Sequence, residues 1–278
     1  MKKIKSILKK IKDFIYALMA DNTGVYAAQA SFFLIISAIP LCMLIFSIVN
    51  IFLSIDQKTI LSTVDLYVPA QISEFVITIL NELFYKSSSV SVISITAVST
   101  LWLASRGIMG LYMGLSNVYH APIRNWFVSR FISVIYTLAL IATLIVTIIF
   151  FGFGNKVEHF LVSRSIILAD IFQFLLRGKI LIFMAYLTIL FALFYTFLPH
   201  RKTKFKKQLP GAAFAAAGWM VFSFIYSIYI NNFSNYSYVY GSLTALVFLM
   251  LWLYFCMNIF LYGAQINKMI ENGYFNKK

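Results

Sequence analysis

The sequence predicts an all-α, polytopic membrane protein with six transmembrane helices and additional amphipathic interfacial helices. Three observations predict it. The 278-residue chain is 61% hydrophobic and 12% charged, where soluble domains run near roughly 45–50% and 25%. Six apolar stretches reach the length of about 20 residues that a helix needs to cross hydrocarbon. The cations, finally, gather in alternate connections between those stretches.

The first element is residues 1–22, expected to be a cytoplasmic amphipathic basic helix ahead of a single six-span domain, 23–278. Ile4, Leu8, Ile11, Ile15 and Leu18 recur at helical spacing while the lysines take the other face, a pattern that lies on an anionic membrane surface. No cleavable secretory signal is expected, because the basic start has no short apolar core followed by a small-residue cleavage site. The spans are placed near 25–53, 91–118, 128–153, 178–198, 209–231 and 240–266. Between the first two, and again between the third and fourth, mixed polar and apolar segments read as short surface helices.

Charge sets the orientation. The N-terminus, the second-to-third loop, the fourth-to-fifth loop "HRKTKFKKQ" and the C-terminus together carry 16 Lys and Arg against three acidic residues, whereas the opposite side carries six against six. With Arg106 inside a span, this accounts for the net charge of +14. Both termini are therefore expected in the cytoplasm, and no nucleic-acid partner is needed to explain the charge. Cys42 and Cys256 lie in apolar spans and read as small hydrophobes.

Arg106 is the anomaly. It sits in "LWLASRGIMGLYMGLSNVY", 13 residues from Tyr119, and a cation in hydrocarbon costs several kcal/mol. At 100° per residue it shares a face with Ser99, Gly110, Met113 and Asn117. That stripe points to neighbouring helices or a cavity, and Gly110 and Gly114 permit close backbone approach. The alternative is snorkelling, with the span sliding to bring the guanidinium to the headgroups. Thirteen residues is roughly 20 Å, beyond an arginine's reach if the helix ends at Tyr119, so the reading is a buried arginine with neutral partners or an anionic ligand.

Other polar groups in the spans are Gln29 in the first, with Pro40 expected to kink that helix by removing a backbone donor. Tyr254, Asn258 and Gln265 align in the sixth. The fifth opens "PGAAFAAAGW", where Pro210 suits a helix start and the small residues suit tight packing. The outer loop "NNFSNYSYVYGS" is uncharged, and its Tyr236, Tyr238 and Tyr240 read as an interfacial belt or a cavity mouth.

Catalytic motifs are missing from the sequence. His120, His159 and His200 stand alone, without metal-ligand spacing, and there is no nucleophile elbow, P-loop or dinucleotide fingerprint. The nine carboxylates are scattered. No enzyme activity, cofactor or metal is expected.

The pieces "AAQASFFLIISAIPLCMLIF", "LWLASRGIMGLYMGLSNVY", the run from "LPGAAFAAAGW" through "YSYVYGS" to "LWLYF", and "LYGAQINKMI" resemble, in order and over nearly the whole chain, the YihY/BrkB-like bacterial inner-membrane proteins. The resemblance implies six spans in the cytoplasmic membrane. Some members carry a mistaken label as a tRNA-processing ribonuclease, and others are linked to serum resistance or to lipid and envelope-polymer export. It transfers no catalytic residue. The leading expectation is transport or flipping of an anionic amphipathic molecule, a lipid or envelope precursor, with Arg106 drawing the head group. Asn117, Gln29, Asn258, Gln265 and Tyr240 would add neutral contacts. The alternative is a non-transporting scaffold for envelope synthesis.

Overall fold

A computed structural model describes residues 2–53, 77, 81, 90–147, 179–232 and 242–274. Seven helices make up this part of the chain, and no strand occurs among the described residues: α1 (Lys2–Ala20), α2 (Thr23–Leu53), α3 (Val90–Val118), α4 (Trp126–Thr147), α5 (Lys179–Phe197), α6 (Phe205–Asn232) and α7 (Ser242–Glu271). Four of them, α4 to α7, are long and apolar enough to cross a membrane by length and composition. The segments expected as surface helices between α2 and α3 and between α4 and α5, and the loop holding Tyr236, Tyr238 and Tyr240, lie outside the described residues.

The helix limits follow local chemistry. Asn22 takes a left-handed conformation (φ 49°) between α1 and α2, a backbone state that Asn tolerates better than most residues. The Thr23 hydroxyl donates back to Leu18 O at 3.2 Å. His120 does the same for α3 with φ 50°, and Tyr119 N–H closes the last turn on Leu115 O. Helix α6 starts at Phe205, four residues before the expected 209, so Pro210 lies inside it and not at its start. Asn267 of α7 supports the backbone there: its Nδ2 donates to Gln208 O at 2.9 Å and its Oδ1 accepts from Gly211 N at 2.7 Å. In α2 the helix continues through Pro40.

Small residues decide which helices touch. Helix α3 lies along α2 with Gly107 and Gly110 against the Ala30 backbone, and Gly114 against Tyr26 and Leu261. Helices α6 and α7 cross tighter still, since a Cβ at Gly211 would meet Gly263 O at 2.0 Å and one at Gly263 would meet Gly211 O at 2.5 Å. Only glycine fits at that point. Helix α5 packs on α6, α4 on α3, and α7 closes the bundle against α2 and α3. The Tyr195 hydroxyl, fully buried, ties α5 to α7 by donating to Phe260 O at 2.6 Å. Helix α1 rests on α7 through Phe14 against the Tyr262 ring and a hydrogen bond from the Tyr274 hydroxyl to Asp13, while Ile15 and Met19 face outward.

Candidate functional site

One end of the bundle collects the charge. The α1–α2 turn, the end of α3, the α5–α6 connection and the end of α7 all meet there. Arg201 pairs with Glu271 at 2.6 Å and lies over the Tyr119 ring, 3.4 Å from its centroid. Tyr119 donates to Gln208 Oε1 at 2.9 Å, and Gln208 in turn donates to Glu271 at 2.6 Å and to Thr203 at 3.0 Å. Burial pushes the Tyr119 hydroxyl well above its ordinary pKa, with the Arg201 charge opposing the shift, so it remains a donor. A second ion pair, Lys268 with Asp21 at 3.1 Å, stands beside His120 Nε2, 2.9 Å from Lys268 Nζ.

The loop after α3 changes the meaning of Arg106. Residues 119–125 turn back along α3, so that Arg124 N donates to the Tyr112 hydroxyl at 2.7 Å and α4 begins beside the last turns of α3 instead of beyond its end. Arg106 is then six residues from that level, roughly 9 Å at 1.5 Å per residue, in place of the 20 Å counted to Tyr119. The guanidinium is exposed on the outer surface of the bundle and not buried as expected. Its contacts are rings: Cζ lies 5.4 Å from the Phe33 centroid and 5.9 Å from the Trp102 centroid. Arg130, in the first turns of α4, comes to the same indole at 4.3 Å and donates from Nη2 to Trp102 O at 2.9 Å. Trp126 and Phe127 stand exposed just before it.

Inside the bundle is a cavity of about 500 Å³. Each of the helices α2 to α7 contributes to its wall, with Leu34, Leu111, Leu140, Phe191, Trp219 and Phe260. The lining is almost wholly apolar, and its polar groups include Ser223, which accepts from Trp252 Nε1 at 3.1 Å. Arg106 does not reach it. Ile108, two residues on and so about 200° round α3, is the residue that lines the cavity.

The remaining expected residues scatter. Asn117 donates to Asp21 O at 2.7 Å, tying α3 to the α1–α2 turn. Gln29 is half-buried, its Cγ beside Gly110 where α2 and α3 cross. Asn258 is buried and donates to Tyr254 O of its own helix at 2.8 Å. Gln265 is buried with Oε1 unpaired. Tyr240 lies outside the described residues. Arg106, Gln29, Asn117, Asn258 and Gln265 thus do not converge on one pocket. The Trp102–Arg130 contact and the Tyr119–Gln208–Glu271–Arg201 network carry no signal in a single sequence, since their members are 28 to 89 positions apart or joined only through the fold. Among the described residues no group of three or more His, Cys, Asp or Glu stands ready for a metal ion.

The model of the family described as "Virulence factor BrkB" matches residues 14–278. The chain belongs to the BrkB family. Within this family's reach, the chain is 25% identical over 247 residues to "Putative ribonuclease-like protein YfkH" of Bacillus subtilis, an alignment covering 88% of this chain and 89% of that protein. It is 24% identical over 274 residues to a "UPF0761 membrane protein" of Alteromonas mediterranea, covering 95% of this chain and 88% of the relative. A UPF0761 membrane protein of Idiomarina loihiensis is 30% identical over 122 residues, 43% of either chain. No solved structure matches. A BrkB-family chain with these apolar helices is a membrane protein.

Proposed function

We propose that this protein moves an anionic amphipathic molecule, a lipid or an envelope precursor, between the leaflets of the bacterial cytoplasmic membrane. The observation that carries the reading is the apolar cavity of about 500 Å³ bounded by all six long helices, a size within the roughly 300–1,000 Å³ of ligand sites and a lining suited to hydrocarbon. In this reading α2 to α7 are six membrane spans, α1 lies on the inner surface, and the charged end faces the cytoplasm with both termini. Arg106 and Arg130 receive the anionic head group at that end. Ser133 and Thr137 of α4 are buried and donate to their own helix backbone at 2.8 Å, and the buried Thr100 hydroxyl of α3 has no hydrogen-bond partner among the described residues. No step of this reading is catalytic.

The test is transfer of a headgroup-labelled phosphatidylglycerol between leaflets of proteoliposomes. Wild type should move the lipid well above empty liposomes, and Met220→Trp, which fills the cavity from α6, should cut the rate at least about tenfold, the equivalent of 1.4 kcal/mol. Equal rates in empty, wild-type and filled-cavity liposomes would leave the scaffold alternative, in which the cavity is a packing defect.

A further inference from the structure

The groove where α2, α3 and α4 meet brings two arginines to one indole with no carboxylate beside them among the described residues. Arg106 and Arg130 lie 5.9 Å and 4.3 Å from the Trp102 ring centroid. Arg130 is only 9% exposed, and its Nε has no hydrogen-bond partner among the described residues. Arg106 makes no hydrogen bond or ion pair among the described residues. The three described carboxylates are all engaged elsewhere, Asp13 with Tyr274, Asp21 with Lys268 and Glu271 with Arg201. Two guanidiniums gathered at one indole repel each other, and an anion between them relieves both the repulsion and the unmet donors.

We propose that Trp102, Arg106 and Arg130 bind the phosphate of an anionic phospholipid in the leaflet at the charged end of the bundle. This deepens the function proposed above by naming the chemistry of the head group, and it is tested by binding alone. Phosphate fits better than carboxylate. Each guanidinium carries five N–H donors in a planar fork, Arg130 spends one on Trp102 O, and the two non-bridging oxygens of a phosphodiester, set tetrahedrally on phosphorus, can each meet one of two separate guanidiniums, where the coplanar pair of a carboxylate fits a single fork. The source is a lipid because the surface just deeper than the arginines is apolar and open. Ile36, one turn on from Phe33 along α2, and Val98, one turn back from Trp102 along α3, are both exposed. They offer a track for an acyl chain that a soluble phosphate would not use.

The experiment is a titration of the purified full-length protein in neutral detergent, read by native mass spectrometry, with short-chain phosphatidylglycerol, the matching phosphatidylcholine and inorganic phosphate. Phosphatidylglycerol should bind, Arg106→Gln should weaken it about tenfold, the loss of one charge-assisted contact, and Arg106→Gln with Arg130→Gln should abolish it. Inorganic phosphate at a hundredfold excess over the lipid should not displace it. Arg106 is exposed, so its single variant keeps the test valid even if Arg130→Gln fails to fold. Unchanged phosphatidylglycerol binding in Arg106→Gln, equal binding of phosphatidylcholine, or displacement by inorganic phosphate would each overturn the proposal. Leaflet transfer that persists in a variant no longer binding phosphatidylglycerol supports a resident lipid site and removes it from the transport route.

Discussion

The contact of α6 with α7 gives the sharpest prediction of the fold. Replacing Gly211 by Ala puts a methyl carbon 2.0 Å from Gly263 O and 2.6 Å from the Asn267 side chain. A carbon approaches a carbonyl oxygen no closer than about 3.3 Å in ordinary contacts, so the helices must part by more than an ångström. The Gly211 N to Asn267 Oδ1 bond, now 2.7 Å, then stretches beyond hydrogen-bonding range, and the Asn267 bond to Gln208 O is disturbed with it. Leaving a buried donor and acceptor unmade costs about 1–3 kcal/mol each, and overpacking adds about 1–3. The better helix propensity of Ala returns about 1 kcal/mol. The net loss is on the order of 3–5 kcal/mol, enough to separate the Gln208–Glu271–Arg201 network that the crossing holds in place. Reversible unfolding in mixed micelles measures it, with Gly218→Ala as control, whose added carbon meets only the Ile259 Cγ2 methyl at 3.0 Å. A Gly211→Ala protein within about 0.5 kcal/mol of wild type, the spread of neutral surface changes, would refute the contact.

Two further outcomes follow from the charged end. Glu271→Gln leaves Arg201 over Tyr119 without its counter-charge and should destabilise the protein by about 2 kcal/mol, below the 3–5 kcal/mol of a fully buried pair because both side chains keep some solvent; the same unfolding measurement reads it. Burial raises the Tyr119 pKa above the unfolded value of about 10, so the folded state holds that proton longer than the unfolded one. Its contribution is complete below about pH 10 and is lost as pH rises toward the folded pKa. Tyr119→Phe should therefore lower stability at pH 8 and flatten part of its fall above pH 10, seen in unfolding midpoints from pH 8 to 11.

Much of the helical frame was legible because hydrophobic length and charge spacing are local properties. The limits of α2, α3 and α5 lie within two residues of the expected ones. Ends set by side chains from elsewhere were less legible. Helix α6 begins early where Asn267 of α7 supports its backbone around Pro210, and α7 continues to Glu271, where Arg201 and Gln208 hold it. Small residues marked the tight crossings correctly in kind, since glycine at helical spacing announces close approach, but not which helix would fill the space.

By itself the sequence determined a basic, membrane-embedded helical bundle and singled out Arg106 as a charge wanting a reason, because composition, apolar run length and cation position act along the chain. Tertiary structure decided where that charge sits. The loop 119–125 folds back along α3 and starts α4 beside Tyr112, which brings Arg130 to the tryptophan that the exposed Arg106 also approaches. Distance counted along one helix does not say which neighbours lie beside a residue, because those are set by where the chain folds back.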